Sequence, residues 1–169
     1  MRIYAGKIPN IAAEVVQTLT SSGDIETEDR REVEQDIAAV LNAYVETDRQ
    51  VTERAKDLMQ ARNLGQQEFA RTKKLVAEQR GFKIGDEMLD YLLDQIVEML
   101  MHSSSVEEVY AEDVEMRREM APILKRHMAL DEELDRETRA QLKHVEEGTR
   151  TWEVEYRRVM EDIRRRKGL

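Results

Sequence analysis

The stretch Ile8-Pro9-Asn10-Ile11-Ala12-Ala13-Glu14-Val15-Val16-Gln17-Thr18-Leu19 puts its apolar residues three and four apart. That is the spacing of one buried face on an α-helix. The pattern returns 81 residues later, where Leu89, Leu92, Leu93, Ile96, Val97 and Leu100 match Ile8, Ile11, Ala12, Val15, Val16 and Leu19. A turn follows each time, Ser22-Gly23-Asp24-Ile25-Glu26 and Ser103-Ser104-Ser105-Val106-Glu107. The offset then becomes 83, pairing Val33, Ile37, Val40, Leu41 and Val45 with Met116, Met120, Ile123, Leu124 and Met128. A recurring order of this kind marks a repeated supersecondary unit.

Around these helices the chain reads as almost wholly α-helical, with two prolines, seven glycines and no strand-like alternation. The first half predicts helices over 9–20, 28–62 and 66–80. The second predicts helices over 87–101, 108–144 and 150–166, with Asp86 as a cap and Pro122 kinking or interrupting the long one. An apolar seam on the first long helix runs Ile37, Leu41, Tyr44, Asp48, Val51, Ala55, Leu58, the heptad-like spacing of a helix lying along a neighbour.

Composition narrows the function classes. The net charge of −9 argues against wrapping nucleic acid as a whole-protein strategy. The charge is uneven: residues 1–82 carry a net −2 and 83–169 a net −7, yet the closing run holds Arg157, Arg158, Arg164, Arg165, Arg166 and Lys167. Cysteine is absent, which excludes disulfides, thiolate metal sites and a cysteine nucleophile. No stretch approaches the roughly 20 apolar residues of a membrane span, and the N-terminus lacks a signal-peptide pattern, so a cytoplasmic address is expected.

The run Glu147-Gly148-Thr149-Arg150-Thr151-Trp152-Glu153-Val154-Glu155-Tyr156-Arg157-Arg158, with the opening Met1-Arg2-Ile3, resembles the domain of unknown function 507 family. The resemblance implies a short bacterial helical protein. It also implies two copies in tandem, because the family's usual length is near one repeat. The first copy departs from the signature, with Phe69 opposite Trp152 and Lys73 opposite Tyr156. No activity, cofactor or catalytic residue comes with the resemblance.

Candidate chemistry is sparse. Glu98 and His102 stand four apart and share a helical face, but no second ligand pair accompanies them. Asp48 and Asp131 occupy matching seam positions. They read as carboxylates facing each other across the repeat to hold a cation or share a proton. The alternatives are a helix cap or a seam acid paired with arginine. Arg164, Arg165, Arg166 and Lys167 read as a phosphate contact, or as basic residues complementing a helix dipole. Trp152 and Tyr156 share a face and read as a partner-binding anchor, or as the peg that docks the last helix. No Gly-rich phosphate loop, zinc motif or nucleophile elbow is present.

These readings converge on an all-α protein of two similar three-helix units, 1–82 and 83–169, forming an elongated bundle. The expected function is a non-enzymatic interaction module without cofactor or metal, docking to an unknown protein or to itself. The alternative is an RNA- or ribosome-associated factor using the basic C-terminal helix. No membrane partner is expected.

Overall fold

A computed structural model describes residues 2–168, except for the side chain of Asp131, which lies outside the described residues. Six helices carry the fold: α1 (Ile8–Ser21), α2 (Arg30–Ala61), α3 (Phe69–Gln79), α4 (Met88–His102), α5 (Asp113–Gln141) and α6 (Arg150–Lys167). Two short strands, β1 (Ile25–Glu26) and β2 (Glu108–Val109), stand between the first and second helix of each half. The protein is all-α, as its periodicity dictates.

Helix boundaries follow local chemistry. Pro9 sits in the first turn of α1, where its missing N–H costs nothing. Asp29 caps α2, its side chain accepting from the N–H groups of Arg31 (3.1 Å) and Glu32 (3.2 Å). At α5, Glu115 reaches back to accept from the Glu112 N–H at 2.9 Å. Asp86 caps nothing. It lies in a single 3-10 turn, Gly85–Glu87, that precedes α4. Helix α5 runs through Pro122 without a break in its assignment. Pro122 is exposed, so water can satisfy the carbonyl it leaves free.

Compactness divides the chain differently from the sequence repeat. Residues 3–125 form the larger unit, and Arg2 with 126–168 the smaller. The larger unit gathers α1–α4 with residues 113–125 of α5. Its composition has two causes: α2 packs against α1, α3 and α4, and the turn after α1 pairs with the turn after α4.

That pairing is antiparallel, with Ile25 opposite Val109 and Glu26 opposite Glu108. By the match of the two turns, Ile25 corresponds to Val106 and Glu26 to Glu107, so the ladder does not pair matched positions. Side chains reinforce the ladder. Tyr110 donates its O–H to Glu26 at 2.5 Å, Thr27 donates to the Ser105 carbonyl at 2.6 Å, and Glu107 accepts from the Glu28 N–H at 2.8 Å. Two-residue strands have no alternation to read, which is why sequence reasoning missed them.

The core of the larger unit is the matched apolar set. Ile11, Val15, Leu19, Leu92, Ile96 and Leu100 are all essentially inaccessible. On α2 the seam Ile37, Leu41, Tyr44, Val51 and Ala55 is buried, but its last member is Met59 rather than Leu58, which is half-exposed.

Beside this core, three rings join α2, the α3–α4 connector and α4. Tyr44 and Phe82 lie 4.6 Å apart by centroid, Phe82 and Tyr91 5.7 Å, and Tyr44 and Tyr91 6.0 Å. Tyr44 also donates to the Lys83 carbonyl at 2.8 Å. Burial pushes the Tyr44 phenol well above the ordinary tyrosine value, and the Asp48 carboxylate and Tyr91 push it further.

An alkaline prediction follows. A raised folded pKa contributes stability that is complete below the unfolded value, about 10, and lost as pH rises past it. Above that point Tyr44 should cost about 1.4 kcal/mol per pH unit. Urea unfolding between about pH 9 and about pH 11 should show this steep loss in the native protein and a shallower one in Tyr44→Phe. Equal slopes would refute it.

Candidate interaction sites

On the larger unit, an open groove of about 380 Å³ lies between α2 and α4. Ala39, Val40, Ala43 and Thr47 form one wall, and Leu92, Gln95 and Met99 the other, with the three rings closing one end. The groove exists because α2 presents alanines four residues apart where longer side chains would fill the space.

Its electrostatics are one-sided. Between Arg31 and Arg49, α2 carries Glu32, Glu34, Asp36, Glu46 and Asp48 with no lysine or arginine. Helix α4 carries Asp90, Asp94 and Glu98, again with no lysine or arginine. Some of these carboxylates are held. Asp36 accepts from the Ser103 hydroxyl at 2.7 Å, Glu46 from Arg49 at 2.8 Å, and Asp94 from Arg117. Only Asp36 of these lines the groove itself, and a mostly apolar floor with acids along the flanking helices suits a ligand that is apolar on one face and positive at its edges. Sequence reasoning did not single out this groove. Its signal was the Ala39–Ala43 spacing beside the seam, together with the missing basic residues.

Asp48 lies on the same unit, in the middle of an unbroken α2, so it is no helix cap. Its carboxylate pairs with Lys73 of α3 at 2.9 Å, a seam acid joined to a lysine instead of an arginine. The Asp131 side chain, expected at the matching seam position, lies outside the described residues. His102 turns its Nδ1 to the backbone carbonyl of Glu98 at 2.8 Å, a contact with the main chain rather than with the carboxylate. Among the described residues no three His, Asp or Glu side chains cluster as a metal set, and no helix is long and apolar enough to cross a membrane.

In the smaller unit, the closing signature becomes a network around Asp135 of α5. Its Oδ1 accepts from Arg2 at 3.0 Å and from the Tyr156 hydroxyl, and its Oδ2 accepts from Arg139 at 2.9 Å. Arg139 also reaches Glu147 at 2.6 Å. Its guanidinium lies 5.2 Å from the centre of the Trp152 ring, which stacks on Tyr156 at 4.8 Å. Burial of Arg139 works against its charge, but Glu147 and Asp135 outweigh it and hold its pKa above the usual arginine value. Gly148 takes a φ of 89°, and Thr149 caps α6 by accepting from the Trp152 N–H at 3.1 Å.

The two signature pieces, Arg2 at the start and Thr149 to Tyr156 near the end, are thus brought together. Trp152 and Tyr156 are half-buried and engaged within the unit, the docking-peg geometry.

The basic tail divides. Lys167 is bound to Glu137 at 2.6 Å and Glu133 at 3.1 Å, which raises its pKa. Arg164, Arg165 and Arg166 make no ion pair among the described residues, and neither do Arg150 and Arg157. Earlier on the same helix, Arg158 pairs with Glu155 at 2.6 Å.

A family model described as a protein of unknown function (DUF507) matches residues 1–169. The chain belongs to that family. The match runs over both halves of the sequence repeat. No curated protein matches the chain.

Proposed function

We propose that this family member is a non-enzymatic interaction module of the bacterial cytoplasm, receiving an amphipathic helix with basic edges in the α2–α4 groove. The supporting observation is the groove itself, open and largely apolar, lined by the Asp36 carboxylate and by no lysine or arginine. An amphipathic helix lays its apolar face into such a groove, while lysines or arginines at its edges meet the carboxylates. The non-enzymatic part rests on the sequence, which carries no recognised nucleophile, phosphate-loop or zinc motif. The recurring apolar order of α1 in α4 and of α2 in α5 supports a further reading, that the two halves are tandem copies of one unit.

The test uses the whole chain and two labelled model helices of about 18 residues, long enough to form several turns. Both carry leucine on one face; the other face is lysine in one and glutamate in the other. The lysine peptide should bind at least about tenfold tighter, and Ala39→Arg/Ala43→Arg should abolish that preference by filling the groove with positive charge. Both alanines lie at a solvated helix face, so the variant should keep its fold. Equal binding of the two peptides, or a folded double variant that binds like the native chain, would exclude this reading.

A further inference from the structure

We infer that the outward face of α6 binds the phosphate backbone of nucleic acid, independently of the groove. On an α-helix, residues seven apart fall within about 20° of each other and about 10.5 Å along the axis. Arg150, Arg157 and Arg164 therefore form one row, and Arg158 and Arg165 a second beside it. Arg150, Arg157, Arg158 and Arg165 are exposed, away from the buried side of α6 where Val159, Met160 and Ile163 pack and Trp152 and Tyr156 are engaged, and Arg164 is half-buried at the margin of that face. Four of the five make no ion pair among the described residues; Arg158 alone is held, by Glu155. Lys167, which the terminal run placed with them, is occupied on α5.

Residue type and geometry select the ligand. Five guanidinium groups spaced along some 20 Å present planar donor forks, which suit phosphate oxygens repeated along a strand. A bilayer is a poorer fit. The apolar side of α6 is consumed within the unit, leaving Val154 as the exposed apolar residue on the arginine face. Glu161 sits among the arginines and the chain carries a net −9, so binding should be weak and confined to low salt. No aromatic ring stands among these arginines to stack a base, so the contact is expected to be to the backbone and independent of sequence.

Fluorescence anisotropy with the full chain tests this, using labelled 20-nucleotide oligouridine, a 20-base-pair DNA duplex and vesicles of anionic phospholipid. About four neutralised phosphates on a single strand give a log–log salt slope of about −3. R150Q/R157Q/R164Q should weaken binding at least tenfold, and the matching lysine triple should retain most of it. R157Q alone should make the slope shallower by about 0.7. Preference for oligouridine would identify single-stranded RNA as the source of the phosphates, and preference for the duplex would identify DNA. No saturable binding at low salt, a glutamine triple that binds as the native chain does, or vesicles bound as tightly as nucleic acid would overturn the inference.

Discussion

Phe82→Ala is expected to lower the unfolding free energy by about 3–5 kcal/mol, a large share of the roughly 5–15 kcal/mol that holds a domain together. Phe82 is only 4% exposed although it lies in a connector, because its ring wedges between Tyr44 of α2 and Tyr91 of α4. The turn that delivers it is fixed by Gly81 at a φ of 64° and by the Phe82 N–H donating to the Ala77 carbonyl at 2.9 Å. Removing the ring takes away buried apolar surface and leaves two tyrosines without their common neighbour. The groove borders this site and can admit water to the vacated space, so the loss should fall toward the lower end. Phe82→Leu keeps most of the volume and should cost less than about 1.5 kcal/mol. Urea unfolding followed by far-ultraviolet circular dichroism measures both. Equal costs for the two variants would mean that the rings do not form the joint described.

How much of this was legible beforehand depends on the range of the interaction. Helices were readable because the 3.6-residue period is local: the matched positions of α1 and α4 are the buried ones. Family membership was readable from one run of residues. Asp48 was readable as a seam position, but its partner Lys73 lies across a turn on another helix, which no spacing on α2 reveals. The β1–β2 ladder, the groove and the Asp135 network depend on residues tens to more than a hundred positions apart. Sequence pattern could place Trp152 and Tyr156 on one face of α6. It could not say that Asp135, Arg139 and Arg2 would meet them. The compact units likewise reflect which helices pack together, and α4 packs on α2 of the preceding half.

The second large effect concerns the closing network. Asp135→Ala removes the acceptor shared by Arg2, Arg139 and Tyr156, and leaves the half-buried Arg139 with Glu147 as its remaining carboxylate. Breaking a fully buried ion pair by deleting one partner costs about 3–5 kcal/mol, whereas exposed pairs are worth about 0–1 kcal/mol. The Asp135 side chain is 21% exposed and that of Arg139 39%, so an intermediate cost of about 2 kcal/mol is expected. Tyr156→Phe deletes the hydroxyl that donates to Asp135 and accepts from Arg2 at 3.4 Å but keeps the ring that stacks on Trp152, so it should cost about 1 kcal/mol. Arg2→Ala acts on a side chain that is 47% exposed and should cost less than about 1 kcal/mol. Trp152 is the sole tryptophan and sits in this network, so its fluorescence during urea unfolding reports the smaller unit directly. The ordering Asp135→Ala, then Tyr156→Phe, then Arg2→Ala is the expected result. A double-mutant cycle between Asp135→Ala and Tyr156→Phe should give a coupling of at least about 0.5 kcal/mol, as contacting residues do. Additive losses would show that the signature residues are neighbours without acting together, and the network would then not be what holds α6 in place.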